Sequence, residues 1–401
     1  MTTIQIAPIR DHHAHVGLFA SLMGCLDLSD MDRDTALASM RKLPPDRVTT
    51  IRGWHSVRHA LSPGEMEGLP PILLINLSLH GFALTPGAVE RLQESDPEVV
   101  DHRFDPEWCE RNLPRLLGFF DRQAHLEEAT FDRFMEALGD LGVARLDEML
   151  LQSEHAWRIM SGSKWADRLC YWTTPRIFEQ LPAEAQGQIE GFKLFLDGAI
   201  GVRTAALSMG FRDGTKGLFT YTDAEWREVL ESLQDQGRSL AIHAIGDLAI
   251  GQALDGLEDL SRRGLRFPSL RLEHVQFITK AQAQRAKALG IVLSMQPNFS
   301  DDSRAYANVL TQEACDANNP FRMLIDEVGF GPGVELLFGS DGMPYGVEAQ
   351  LQHGLFPPCA SQRLTLDELL AGLDSRLSDT GPAYVIDHEQ QRVTRQAQET
   401  A

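Results

Sequence analysis

The chain has 401 residues, 43% of them hydrophobic, enough for one large domain with insertions or for two ordinary ones. Its 37 Lys and Arg face 57 Asp and Glu, and a net charge of -20 disfavours nucleic acid and anionic membrane as partners. No apolar run approaches the roughly 20 residues of a membrane span, residues 1–5 do not open a signal segment, and five scattered cysteines form no CxxC pair. The expectation is a soluble, cytoplasmic protein with neither a disulfide framework nor a cysteine zinc site.

Residues 4–9 alternate like a first strand and run into Asp11-His12-His13-Ala14-His15. Alternate side chains of a strand share a face, so His13 and His15 should point one way and His12 the other. Two imidazoles about 7 Å apart along a strand can both reach one metal ion. Residues 31–43 read as a helix and 47–51 as a strand ending at Gly53-Trp54. After Pro70-Pro71 comes an apolar run, 72–77, closed by His80-Gly81. From about 106 to 139 the pattern is amphipathic helix, with Phe131, Phe134, Met135 and Leu138 on one core-facing stripe. A helical insertion between about 80 and 140 is therefore expected. Residues 142–146 and 169–172 are further strand candidates.

Lys193 lies inside the apolar run 192–196, followed at once by Asp197-Gly198. Burying an ammonium is costly, so a lysine there tends to lose its charge and become reactive. The alternative is a lysine that snorkels to the strand end and meets Asp197. Beyond it, short apolar strands near 239–242, 270–273, 291–294 and 334–338 end at His243, His274, Gln296-Pro297-Asn298 and Gly339-Ser340-Asp341. Helical patterns at 223–236, 247–263 and 280–289 separate them, the rhythm of a parallel sheet built from βα units. In a (β/α)8 barrel such strand ends converge on one face, where active sites sit. His13, His15, Lys193, His243, His274 and Asp341 are all of metal-ligand type. Each alone also reads as a rim histidine, a buried lysine or a turn carboxylate; together they predict a metal site.

In that order the pieces resemble the amidohydrolase superfamily: His-x-His on strand 1, Lys on strand 4, His on strands 5 and 6, Asp on strand 8. They are similar in particular to the branch typified by N-substituted formamide deformylases (amidohydrolase family 3). The matching stretches are Gly53-Trp54, Phe192-Lys193-Leu194-Phe195-Leu196-Asp197-Gly198, Arg203-Thr204-Ala205, Ala241-Ile242-His243-Ala244-Ile245-Gly246-Asp247, Leu272-Glu273-His274-Val275-Gln276, Gln296-Pro297-Asn298 and Gly339-Ser340-Asp341. The resemblance implies an α/β fold, a distorted (β/α)8 TIM barrel, expected over residues 1–378; the sequence after about Asp379 is polar, and 379–401 are expected to form a loosely held C-terminal tail. Family members usually carry a β-sandwich built from both chain ends. Here strand 1 comes almost at once, so the sandwich is expected to be missing or vestigial, with residues 4–9 entering the barrel directly. Two local departures are Gly342-Met343-Pro344, one residue longer than the usual loop, and Leu146-Asp147-Glu148 in place of a Thr-rich strand ending in Asp.

The resemblance also implies a divalent metal centre, two Zn2+, with Lys193 as N6-carboxylysine. His13, His15 and Asp341 would hold one ion and His243 and His274 the other, with Lys193 and a hydroxide bridging. The implied reaction is hydrolysis of a C–N bond in an amide, N-formyl compound or cyclic amide, with Lys193 and Asp341 catalytic and Asp341 carrying the proton. Asp11, Asp197 and Asp247 are candidate partners of the ligand imidazoles, or else strand-end and cap carboxylates. Trp54, His80, Arg203, Thr204 and Tyr345 are candidate substrate contacts; Arg203 would meet a substrate carboxylate or bridge to Asp197. The expected partner is a small amide-type substrate, with no nucleic acid and no membrane, and a homodimer is compatible with the sequence. Two other classes stay open. One is a mononuclear deaminase of the same superfamily, whose strand-5 acidic pattern and missing strand-4 lysine differ from Asp247 and Lys193 here. The other is a non-catalytic binding or regulatory protein, against which the full ligand set speaks.

Overall fold

The computed structural model describes residues 1–55, 58–76 and 79–396. The chain divides into two compact units, one of Met1–Val16 with Asp132–Ala401 and the other of Gly17–Phe131.

The first unit is built on eight parallel strands: β1 (Ile9–Ala14), β2 (Val143–Glu148), β3 (Leu169–Thr173), β4 (Ile189–Phe195), β5 (Ser239–Ala244), β6 (Leu270–His274), β7 (Val292–Met295) and β8 (Leu336–Phe338). Each pairs with the next in chain order, the arrangement of a (β/α)8 barrel. Every residue of β5 is buried, as expected for a strand covered on both faces. The helices between strands start where side chains can cap them. Thr222 and Glu225 close a capping box on Asp223–Leu233, and Thr279 and Gln282 do so on Lys280–Ala288.

Asp11 holds the end of β8 against β1. Its Oδ1 accepts from the amides of His13 (3.1 Å) and Ser340 (2.8 Å), and its Oδ2 accepts from Ser340 Oγ at 2.5 Å. Asp341 N donates to His13 O at 2.8 Å. This approach leaves no room for a side chain at Gly339, whose first carbon would lie 2.4 Å from His13 N.

Three expectations are corrected. Residues 4–9 do not enter the barrel as one strand. Thr2–Gln5 is an edge strand antiparallel to Ala383–Asp387, which in turn pairs with Arg392–Arg395. Pro8 is the physical reason: it has no N–H to give to a central ladder, so the chain breaks there before β1 begins. For the same reason the polar tail from 379 is not a loose one, since it supplies two of these three strands and buries Tyr384, Ile386 and Val393. The accessory β-structure is thus present as a three-stranded sheet.

The third correction concerns the insertion. The second unit starts at Gly17, not near residue 80, and its first half is a sheet. Leu26–Asp27, Thr49–Trp54, Ile72–Asn76 and Phe82–Leu84 pair in that order, the last pair antiparallel. Leu28, Leu37, Met40, Ile51, Ile72 and Leu74 form its core. Helices follow from Pro86–Leu92 to Glu128–Asp140. A short apolar strand looks alike in either sheet, so periodicity could not assign 49–54 and 72–76 to their own unit. Leu77, expected to end the second of these strands, lies outside the described residues. Among the described residues no helix is long and apolar enough to cross a membrane.

Candidate metal centre

The barrel strands deliver the predicted ligands to one place. His13 at the end of β1 is fully buried, and its Nε2 lies 3.4 Å from Lys193 Nζ on β4 and 3.7 Å from Asp341 Oδ1 beyond β8. His15 Nε2 lies 3.2 Å from the same Oδ1. Donor atoms of His13, His15 and Asp341 all fall within 4.8 Å of one another. The His274 ring centroid at the end of β6 is 4.6 Å from that of His13 and 4.6 Å from that of His243 on β5. The Phe299 ring lies nearly parallel to that of His274, with centroids 6.1 Å apart.

Hydrogen bonds set which ring nitrogen carries each lone pair. His13 Nδ1 donates to Glu273 Oε2 at 2.6 Å, and His274 Nδ1 donates to Gln296 Oε1 at 2.8 Å. Both leave the lone pair on Nε2. His243 Nε2 donates to Gly198 O at 3.2 Å, which places its lone pair on Nδ1. Oriented imidazoles of this kind are the ordinary support of metal sites.

The electrostatics suit a cation. Burial drives His13 and His274 well below the usual histidine range, so both stay neutral and able to ligate. Burial also draws Lys193 down to about 8, against the attraction of Glu273 and Asp341. For Asp341 burial favours the protonated acid, but its neighbours His13, His15 and Lys193 together hold it below the ordinary carboxylate range. Its Oδ1 is buried and accepts no hydrogen bond among the described residues. An ionised carboxylate oxygen in that position, facing two imidazoles, fits a divalent cation. His274 and Asp341 also have φ of 70° and 56°, a conformation that costs a residue with a side chain about 1–3 kcal/mol and gathers at functional sites.

His12 turns the other way. Its Nε2 lies 3.3 Å from Asp374 Oδ2 and its Nδ1 3.6 Å from Asp147 Oδ2. Burial opposes its charged form, yet those carboxylates raise its pKa overall. His12→Gln should therefore leave bound metal in place, whereas His15→Ala should remove at least one equivalent. Metal content of the two purified variants checks this, and equal losses would contradict the arrangement.

The other candidates of the first unit fall outside the cluster or on its edge. Asp11 bonds backbone amides and Ser340, not an imidazole. Asp197 accepts from the amides of Ala206, Ile245 and Gly246, tying the loop after β4 to the loop after β5, with its Oδ1 3.5 Å from His243 Nε2. The Lys193–Asp197 salt bridge is replaced by this role. Asp247 accepts from Ser208 N. Arg203 is half exposed and pairs with Asp213 at 3.3 Å, not with Asp197. Thr204 Oγ1 accepts from Ala199 N. Tyr345 OH accepts from His15 N at 3.2 Å, at the edge of the cluster. Trp54 and His80 belong to the second unit, where Trp54 Nε1 donates to His59 O and His80 Nδ1 lies 2.9 Å from Glu110 Oε2.

Sequence reasoning missed Glu273, Gln296 and Arg271. The available signal was Arg271 and Glu273 two apart in a strand expected to be buried, a spacing that puts both on one face. It also missed Asp302, beyond β7, which Gln276 Nε2 reaches at 2.9 Å. Burial, with Asp301 alongside, pushes Asp302 up to about 7 against that hydrogen bond. A carboxyl with a raised folded-state pKa stabilises while protonated; that contribution is complete below about pH 4 and gone once pH passes about 7. Asp302→Asn should thus gain Tm over wild type as pH rises from 5 to 8. A pH-independent difference would contradict this.

Residues 121–347, more than half of the chain, match the Amidohydrolase family. A putative amidohydrolase, YtcJ of Bacillus subtilis (strain 168), is 32% identical over 126 residues, 30% of this chain and 23% of that protein. Protein LONG AFTER FAR-RED 3 of Arabidopsis thaliana is 32% identical over 127 residues, 31% of this chain and 22% of that protein. The matched stretches thus span under a quarter of either relative. Among solved structures, an uncharacterized metal-dependent hydrolase from Pyrococcus horikoshii OT3 aligns over 92% of this chain and 79% of its own, at 22% identity and TM-score 0.64. Another from Pyrococcus furiosus aligns over 91% and 80%, at 20% identity and TM-score 0.66. Both likenesses are of fold. With the family match over the barrel strands from β2 to β8, the chain belongs to the amidohydrolase family.

Proposed function

We propose that this chain is a metal-dependent hydrolase that cleaves the C–N bond of an amide, N-formyl compound or cyclic amide. The observation that carries the reading is the meeting of His13, His15 and Asp341 donors beside a buried, weakly basic Lys193 and the His243–His274 pair. His13, His15 and Asp341 would hold one divalent ion, and His243 and His274 a second, Zn2+ in both positions. When bound, the metal would polarise the scissile carbonyl and acidify water. Lys193 would join the two halves as a carbamate: its neutral Nζ adds to carbon dioxide, forming an N–C bond and releasing one proton. The product is an anionic ligand where an ammonium would repel cations. Asp341 would take the proton of the attacking water and return it to the leaving nitrogen, since that nitrogen departs far more readily as an amine than as its anion. Tyr345, whose OH accepts from the His15 amide, would touch substrate.

The names of the structural neighbours and the Bacillus relative support hydrolysis over a binding role, and Lys193 favours the binuclear reading over a deaminase. A screen of N-formyl, N-acyl and cyclic-amide compounds, followed by amine or acid release, tests it. Turnover that a chelator abolishes and Zn2+ restores is the expected result. Ammonia release from amino-purines or amino-pyrimidines, with no amide cleaved, would move the assignment to a deaminase.

A further inference from the structure

The floor beneath the metal cluster is ionic rather than apolar. Arg271, on β6 and buried, sends its Nε to Glu273 Oε1 at 2.9 Å, its Nη1 to Asp147 Oδ2 at 2.8 Å and its Nη2 to His12 O at 2.6 Å. A guanidinium can only donate, so every group around it must accept. Glu273 is fully buried and forms an ion pair with Arg271. Glu273 presents two acceptor oxygens: Oε1 accepts from Arg271 Nε, and Oε2 lies 2.6 Å from His13 Nδ1 with Arg271 Nη2 farther off at 3.4 Å.

We infer that Glu273, locked by Arg271, is a positioning residue that sets His13 in its Nδ1–H form and so prepares Nε2 to bind metal. The inference rests on the metal reading above. Its chemistry is directional. With the Glu273 carboxylate paired to Arg271 and its Oε2 2.6 Å from His13 Nδ1, Nδ1 must carry the proton and Nε2 the lone pair, aimed toward Lys193 and Asp341. An isosteric glutamine reverses this. Arg271 demands the amide oxygen, which turns the amide NH2 toward His13. Nδ1 must then accept, and Nε2 takes the proton and cannot ligate. Glu273→Gln thus preserves shape and volume yet is the disruptive change, which a merely space-filling role would not produce.

The test uses the full chain stripped of metal. Co2+ is titrated against a competing chelating indicator, and the His13 tautomer is read from imidazole 15N shifts, assigned by their loss in His13→Asn. Wild type should show the Nδ1–H form, and Glu273→Gln the Nε2–H form with Co2+ bound about 10–100-fold more weakly, the usual cost of a lost outer-shell partner. Wild type that binds Co2+ while Glu273→Gln matches it within twofold would overturn this inference alone. Wild type that binds no Co2+ would overturn it together with the metal reading. If Glu273→Gln does not fold, the wild-type tautomer decides: an Nε2–H His13 refutes the inference and an Nδ1–H His13 supports it.

Discussion

Asp341→Asn is expected to lower kcat by roughly 10²–10⁴, the range for losing a general acid–base group, with bound metal largely retained. The asparagine keeps the size of the side chain and an oxygen facing His13 and His15, so weak ligation survives. It cannot take a proton from water at neutral pH. Asp341 is suited to that task because its neighbours His13, His15 and Lys193 keep its carboxyl below the ordinary range despite its burial. Steady-state kinetics beside metal analysis of the same preparation separate the two roles. A variant near wild-type rate would assign the base elsewhere, with Asp247, the first residue of the helix after β5, the next candidate. A variant that is inactive because it is empty of metal would make Asp341 a ligand only.

Lys193→Ala should remove one metal equivalent and cost several kcal/mol of transition-state stabilisation, roughly 10³-fold or more in rate. The environment argues for a lysine that does chemistry. Its Nζ sits in a fully buried site, drawn down to about 8, and faces the His13 imidazole rather than a carboxylate partner. A short-chain carboxylic acid added to Lys193→Ala should partly restore both metal and rate by supplying the missing oxygens. Lys193→Arg should not be rescued, because guanidinium stays charged and does not add carbon dioxide in this way. Full turnover and two metals in Lys193→Arg would exclude the carbamate and leave the lysine a spectator.

Much of this centre could be read in advance for a definite reason. β5 and β6 are short apolar strands; β6 ends on His274, which lies beside His13, and His243, one residue before the end of β5, lies beside His274, so strand ends and candidate ligands could be located together. The His13/His15 pairing followed from the two-residue period of a strand, which also turned His12 away. Other features depend on partners distant in sequence. Thr2–Gln5 alternates like any strand, and only Pro8 and the far-off Tyr384 and Ile386 decide that it joins the accessory sheet. The strands Thr49–Trp54 and Ile72–Asn76 are as apolar as barrel strands, and local pattern holds no mark of sheet membership. Glu273 lay in plain view beside His274. Its hydrogen bond reaches back 260 residues to His13, a pairing that the barrel creates and that spacing cannot show. Arg203 failed as a bridge to Asp197 because three backbone amides already claim that carboxylate.

Metal analysis of the purified chain bears most directly on the central claim. After saturation with Zn2+ and removal of the excess, two equivalents should remain per chain. Asp341→Asn should keep both, and His15→Ala and Lys193→Ala should each keep at most one. A wild-type protein that retains no divalent metal under these conditions would contradict the account at its base.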